Sequence, residues 1–296
     1  MRTVATLASC ALLVWLAWDA RTEIAGALGV LRADYLAASI VAGVLFTLVQ
    51  ARIFALLVPG RSGPGSARKT MAAFLLSQPS KYLPGKIWPV FVQAAILGPS
   101  ARAVTITIAN LQLFLISMLH LLALGLLCLD HFSLRGLAAA LVIGPLAGTM
   151  VVVLPVAAVA RRLAPRMALR MDIRNEPALA PGTVRDSAIG ISVSMVANLL
   201  ASTALLLSIG DAVPRENLAG VLAVLYLGNI LGALVVIVPA GIGIRELAAA
   251  ALGALLLPGI PASLIVTAAV VFRLWQVVVD VLSFALGWLI DRKTAP

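Results

Sequence analysis

Two short segments of this chain place charged residues beside proline and glycine within otherwise apolar sequence. The first broken motif is residues 77–89, which contain two lysines, and the second broken motif is residues 238–247, which contain Arg245 and Glu246. Each motif has a proline, then a glycine, then a cation, an order that ends one helix and begins another. A helix N-terminus carries free N–H groups and a partial positive charge, so a cation beside it favours binding of an anion such as phosphate.

The composition indicates that these motifs lie within a membrane protein. Hydrophobic residues make up 62% of the 296 residues and charged residues only 11%. A soluble domain has roughly 45–50% apolar and about 25% charged residues. The apolar runs show no alternation of the kind found in barrel strands. The excess of positive charge, +10, is concentrated in short loops between apolar runs, which favours membrane topology over nucleic-acid binding.

The pattern of apolar runs predicts an all-α, polytopic transmembrane bundle with about 7–9 membrane segments. Residues 71–80, 87–98 and 247–257 are too short to span, and their flanking Pro and Gly predict two broken or re-entrant segments. The apolar runs are residues 3–18, 36–58, 71–80, 87–98, 103–129, 136–160, 187–209, 218–239, 247–257 and 262–290. In each half a broken motif precedes a short run and then a long one, which indicates a weak internal repeat.

The loops predict the orientation of a single integral membrane domain, residues 1–296. Segments 52–70 and 161–186 are rich in arginine, and the second is the basic loop between the two halves. By the positive-inside rule both are expected in the cytoplasm. Three loops with balanced charge are expected outside: 19–35, 129–135 and 210–217. A cytoplasmic C-terminus requires residues 247–257 to contribute a crossing.

The last long run contains further polar residues at membrane depth. Gln276 and Asp280 are four residues apart and share a helix face, whereas Arg273 and Asp280 are separated by about 10.5 Å of helix rise. Arg273 therefore needs a partner outside its own helix, and Glu246 is the expected one. A purely structural ion pair is an equally good explanation of this pattern. The lysines of the first motif are also explained by side chains that extend to the membrane interface.

No motif in the sequence indicates catalysis, a metal or a cofactor. Gly60 and Gly65 have the spacing of a phosphate loop, but Ser66 occupies the lysine position and no strand precedes them. No group of His, Cys and acidic residues has metal-ligand spacing, and no Ser or Cys lies in a nucleophile motif. We therefore expect a protein that is not an enzyme, with no catalytic residue, no metal and no cofactor.

The two motifs resemble the signatures of the lysylphosphatidylglycerol synthase transmembrane region, also called the flippase-like domain family. Residues 82–88, Tyr-Leu-Pro-Gly-Lys-Ile-Trp, are similar to the first signature, and residues 239–246 to the second, with Ala240 in place of its first glycine. The resemblance covers nearly the whole chain and implies an integral membrane domain that moves or handles a polar lipid. Some relatives carry a soluble aminoacyl transferase domain as well, and we expect the synthase activity not to extend to this chain.

These observations together predict a protein that translocates a polar, phosphate-bearing lipid between leaflets for cell-envelope assembly. The expected partner is an anionic membrane lipid, with no nucleic acid, and the expected location is the cell inner (plasma) membrane. The alternatives are a scaffold for an envelope-synthesis enzyme and an enzyme that modifies a lipid phosphate. The candidate headgroup-binding residues are Lys81, Tyr82, Pro84, Gly85, Lys86, Trp88, Pro239, Gly241, Gly243, Arg245, Glu246 and Arg273.

Overall fold

A computed structural model describes most of the chain. The described residues are 32–58, 66–83, 87–98, 101–130, 133–153, 181–209, 213–234 and 243–292. They form α-helices and two short 3-10 helices, Gln78–Tyr82 and Arg215–Asn217, and contain no strand. The α-helices are α1 Ala33–Leu57, α2 Ser66–Leu76, α3 Trp88–Leu97, α4 Ala103–Leu129, α5 Leu134–Val153, α6 Pro181–Ser208, α7 Leu218–Leu234, α8 Ile244–Leu256 and α9 Ala262–Arg292. The predicted all-α class is confirmed.

Six of these helices are long and apolar enough to cross a membrane: α1, α4, α5, α6, α7 and α9. Large apolar side chains cover their outer surfaces; for example, Leu126 and Val142 are 56% exposed. Such a surface is costly in water and matches lipid tails. The chain is therefore a multi-pass bundle. The predicted membrane segments at 36–58, 103–129 and 262–290 correspond to described helices, as do residues 218–234 of the predicted segment 218–239.

Three predicted boundaries need correction because the helices continue beyond their apolar runs. Helix α2 begins at Ser66 rather than residue 71, and α6 begins at Pro181, so the last six residues of the predicted 161–186 loop are helical. Arg52, assigned to a loop, lies within α1. A helix needs apolar side chains only where it meets lipid, so hydropathy underestimates its length. Proline at the first position of a helix, as at Pro181, is favoured because its missing N–H has no partner there. Residues 1–31 and 154–180 lie outside the described residues.

The described parts of the two basic segments lie at the same end of the bundle. Helices α1 and α6 pack against each other over their length in opposite directions. The backbone N–H of Arg32, before α1, donates to the carbonyl of Ser208, at the end of α6. Towards the other end of the pair, Gly190 lies against Ile53 and Val49. The end of α1 and the start of α6 therefore share one end, which we call the basic end.

Helices α4 and α5 extend this alternating arrangement. Gly144 of α5 lies against Met195 and Ala123, and Gly148 against Ile191 and Ile116. Helix α5 is therefore antiparallel to both α4 and α6, and α4 begins at the basic end. The turn between α4 and α5 lies at the opposite end, as the predicted loop orientation requires.

The short helix α8 packs against α7. Gly228 of α7 lies against Ala249, and Gly220 against Leu257, so α8 runs back along α7 in the opposite direction. Helix α9 then returns to the basic end, where it finishes at Arg292. With 13 residues α8 is shorter than a spanning helix, so a crossing by residues 247–257, which a cytoplasmic C-terminus requires, stays a prediction.

The segment from α2 to α3 is a re-entrant hairpin. Leu75 of α2 lies against Gly287 of α9, and Lys81, further along the chain, contacts Asp280. The chain thus enters the bundle from the basic end. It leaves through α3 towards the start of α4, which lies at the same end. Proline at positions 79 and 89 favours the breaks, because it lacks the N–H that continues a helix.

The two halves predicted to form an internal repeat share only the order of their helix lengths. A short helix precedes a long one in both halves, as α3 precedes α4 and α8 precedes α9. The first motif, however, lies between two short helices, whereas the second follows the longer α7. Equivalence of the two halves in three dimensions stays a prediction.

Candidate functional site

One face of α9 carries the polar side chains that meet both broken motifs. Arg273, Gln276 and Asp280 are three and four residues apart, so they follow one another along the same side of the helix. Arg273 and Asp280 lie about 16 and 27 Å from the first residue of a helix about 46 Å long. These side chains therefore occupy the middle third of α9, away from either end.

The first motif contacts this face through two consecutive residues of the 3-10 helix. Nζ of Lys81 lies 2.8 Å from Oδ1 of Asp280. The hydroxyl of Tyr82 donates to Oδ2 of the same carboxylate at 2.7 Å. The Asp280 side chain is only 4% exposed, whereas that of Lys81 is 42% exposed. Both carboxylate oxygens are thus used to fix the tip of the re-entrant hairpin to α9.

The second motif contacts the same face from the first turn of α8. Nη1 of Arg273 lies 3.2 Å from Oε1 of Glu246, and this ion pair confirms the predicted partner of Arg273. Nη1 of Arg245 donates to Oε1 of Gln276 at 3.3 Å. Glu246 also has the position near a helix N-terminus that favours an acid.

These contacts define one charged cluster rather than two. Arg245 from the second motif reaches Gln276, and Tyr82 from the first motif reaches Asp280, one helical turn further along the same face of α9. The described parts of the two motifs therefore meet in space, as expected from the need of intramembrane charges for partners. We define the charged cluster as Lys81, Tyr82, Arg245, Glu246, Arg273, Gln276 and Asp280.

The cluster leaves polar atoms free for a further interaction. Within the described part of the chain, three buried atoms of the cluster have no hydrogen-bond partner: Nε of Arg245, Nη2 of Arg273 and Oε2 of Glu246. Two of these atoms are donors and one is an acceptor. An arginine side chain with free N–H groups suits a carboxylate or phosphate, so the arrangement is able to bind a polar group with anionic character.

A buried polar network supports the hairpin from the side away from α9. The amide of Gln93 on α3 donates to Oγ of Ser77 at 2.9 Å, and Asn110 on α4 donates to Oε1 of Gln93 at 2.6 Å. These bonds join the two arms of the hairpin to α4. Hydrogen bonds between helices replace contacts with water that a bilayer does not offer.

Two glycines of α7 allow the start of α8 to pack closely, and sequence reasoning missed them. A Cβ added to Gly232 would overlap the Arg245 side chain, and one added to Gly228 would lie 2.9 Å from the backbone nitrogen of Ala249. The spacing of residues 228 and 232 is the small-xxx-small pattern of closely packed membrane helices. That pattern is the signal that predicts the close approach of α7 and α8. Asp280 was also missing from the candidate residues, although its spacing from Arg273 was noted.

Of the remaining candidate residues, the structure describes two and leaves five outside the described residues. Gly243 is the N-cap of α8 with φ of 79°, a conformation that favours glycine. Trp88 lies at the start of α3, is 38% exposed, and its ring contacts that of Phe91 at 6.1 Å between centroids. Its predicted part in headgroup binding stays a prediction. Five candidates lie outside the described residues: Pro84, Gly85, Lys86, Pro239 and Gly241.

The cluster defines a class of protein, an integral membrane bundle with a charged centre built from broken helices. Among the described residues, no group of three or more His, Cys, Asp or Glu is placed to hold a metal ion. Comparison of the chain with models of protein families, with curated proteins and with solved structures finds no match.

Proposed function

We propose that this protein translocates a polar, phosphate-bearing lipid between the leaflets of the cell inner (plasma) membrane for envelope assembly. The observation that carries the proposal is the charged cluster itself. Two broken segments, far apart in sequence, bring Lys81 and Arg245 to the same polar face of one long helix. Intramembrane charges are costly and mark polar pathways in membrane proteins.

The cluster has polar atoms that a headgroup would pair. Three buried atoms, on Arg245, Arg273 and Glu246, have no hydrogen-bond partner within the described residues, and an anionic headgroup with a donor group would supply partners for them. The broken helices add N–H groups near the cations, as at the midplane sites of transporters. Acyl chains would remain in lipid, against the apolar outer surface, while the headgroup passes the cluster.

The test of this proposal is lipid movement in liposomes that contain the purified protein. Labelled lipids placed in one leaflet are followed by a quencher that cannot cross the membrane. We expect the wild type to move a phosphate-bearing lipid, and Lys86→Ala and Arg245→Ala each to abolish that movement. Arg185→Ala is the matched control, because Arg185 is 77% exposed and pairs only with the adjacent Asp186 among its described ion pairs.

Folding must be separated from transport in this experiment. Each variant is compared by size-exclusion chromatography in detergent, and only monodisperse protein enters the liposomes. Normal lipid movement by well-folded Lys86→Ala and Arg245→Ala variants would contradict the proposal. A new lipid product would favour an enzyme that modifies a lipid phosphate. Absence of both movement and product for the wild type would favour a scaffold.

A further inference from the structure

The two carboxylates of the charged cluster differ in how completely their oxygens are paired. Both oxygens of Asp280 have a partner, because Nζ of Lys81 lies 2.8 Å from one and the hydroxyl of Tyr82 lies 2.7 Å from the other. Glu246 uses Oε1, which lies 3.2 Å from Nη1 of Arg273. Its Oε2 is buried and has no hydrogen-bond partner among the described residues. Of the two carboxylates, Glu246 is therefore the one with an oxygen still open to a proton.

An anionic oxygen alone would leave this acceptor unpaired. The other two buried atoms without a partner in the described part of the cluster, Nε of Arg245 and Nη2 of Arg273, are donors. Oxygens of an anion accept from both of them, but they cannot donate to Oε2 of Glu246. A proton on Oε2 converts this acceptor into an O–H donor, which bonds to an oxygen of the anion. An anion and a proton together therefore pair all three atoms without a donor group on the ligand.

Electrostatics also favours a proton on Glu246 when an anion is bound. An anion held by Arg245 and Arg273 is a second negative group beside the carboxylate, and like charges that share a site favour protonation of one of them. Helix α8 packs mainly against α7 and α9. From α9 the facing charged group is Arg273, with Asp280 two turns further along. Helix α7 carries no charged residue, and its one titratable side chain, Tyr226, is hydrogen-bonded to α6.

We infer that Glu246 is a proton-binding site and that the charged cluster takes up a proton together with each anionic group it binds. The bond that forms is Oε2–H, and the proton comes from water, which reaches a side chain that is 14% exposed. The contact between Glu246 and Arg273 weakens as Arg273 binds the anion, and the proton returns to water when the anion leaves. Because the proton offsets negative charge of the anion, loading adds little net charge at membrane depth, where charge is costly. This inference rests on the proposed function and specifies what moves together with its lipid.

The test counts protons on binding to the full-length protein in detergent, which needs no transport. The probe is phosphatidylmethanol, an anionic lipid whose headgroup has neither a hydroxyl nor an ammonium, so the ligand itself cannot donate to Glu246. Isothermal titration calorimetry in two buffers with different ionisation enthalpies gives the number of protons taken up per lipid bound. We expect about one for the wild type, and an apparent affinity that falls by about tenfold per pH unit as the pH rises through the range of uptake, because the loaded state holds the extra proton. Binding without proton uptake between about pH 5 and 8 would overturn the inference.

Variants of the carboxylates assign the proton to a residue. Glu246→Gln has no carboxylate to protonate, so we expect no proton uptake and an affinity that varies by less than about twofold over the same pH range. Glu246→Asp keeps a carboxylate and should keep the uptake, which maintains the test if Glu246→Gln does not fold. Glu216→Gln is the matched control, because Glu216 is exposed in the 3-10 helix before α7, and this variant should behave as the wild type. Uptake that persists in folded Glu246→Gln protein, or that is lost in folded Asp280→Asn protein instead, would contradict the assignment.

Liposomes separate this inference from the proposed function. We expect a difference of about one pH unit across the membrane to accumulate phosphatidylmethanol on the alkaline side by up to about tenfold with the wild type, and not with Glu246→Gln. Proton uptake in detergent without lipid movement in liposomes would contradict the proposed function and leave the proton site standing. Lipid movement that is insensitive to the pH difference, together with binding that takes up no proton, would overturn this inference and leave the proposed function standing.

Discussion

Replacement of Asp280 by asparagine tests whether the tip of the re-entrant hairpin is held by one buried carboxylate. Its side chain is 4% exposed and accepts hydrogen bonds from Lys81 at 2.8 Å and from Tyr82 at 2.7 Å. A hydrogen bond to a charged group contributes about 1.5–3 kcal/mol. The Lys81 side chain is 42% exposed, so its share is reduced by solvent to about 1 kcal/mol or less. We expect Asp280→Asn to lower the free energy of unfolding by about 2–4 kcal/mol.

The measurement is unfolding in mixed micelles with increasing denaturing detergent, followed by circular dichroism. Asp186→Asn is the matched control, because it removes a carboxylate that is 41% exposed and paired with the adjacent, 77% exposed Arg185. We expect this control to change the free energy of unfolding by about 0.5 kcal/mol or less. The difference between the two variants reports the burial of the carboxylate rather than its charge alone.

A double-mutant cycle with Tyr82→Phe assigns the loss to the contact itself. The two residues share one hydrogen bond, so the effects of Asp280→Asn and Tyr82→Phe should differ from additivity by about 1–3 kcal/mol. Additive effects would show that the two residues stabilise the protein independently. An Asp280→Asn protein as stable as the Asp186→Asn control would refute the reasoning, because it would mean that the buried carboxylate does not hold the hairpin.

Three further predictions concern orientation and backbone. Cysteines introduced at Arg68 and Arg185, both near the basic end, should resist a membrane-impermeant reagent in intact cells; labelling from outside would reverse the orientation. Gly232→Leu should displace the Arg245 side chain, lower the free energy of unfolding by about 1–3 kcal/mol and reduce lipid movement, whereas Gly182→Leu, which meets open space, should do neither. Gly243→Val should lower the free energy of unfolding by about 1–3 kcal/mol, because φ of Gly243 is 79° and valine is strained there. A variant as stable as the wild type would contradict this backbone conformation.

The sequence by itself determined the class of the protein and the break between α2 and α3. Apolar runs long enough to span predict membrane helices, because the bilayer core has no water to hydrogen-bond backbone N–H and C=O groups that are not paired within the protein. Pro and Gly beside the short runs predicted the re-entrant hairpin between α2 and α3. The partner of Arg273 also followed from sequence, since Glu246 is an acid at a helix start where an intramembrane cation needs one.

The tertiary structure alone decided which polar residues share a centre. Asp280 contacts Lys81 although 199 residues separate them, and no local pattern encodes that distance. The direction of α8 along α7 was likewise open, because its apolar run is too short for hydropathy to identify it as a membrane segment. Lipid tails are as apolar as a protein core, so hydropathy does not show which face of a membrane helix meets lipid and which meets another helix. Close packing decides this, as where Gly232 makes room for Arg245.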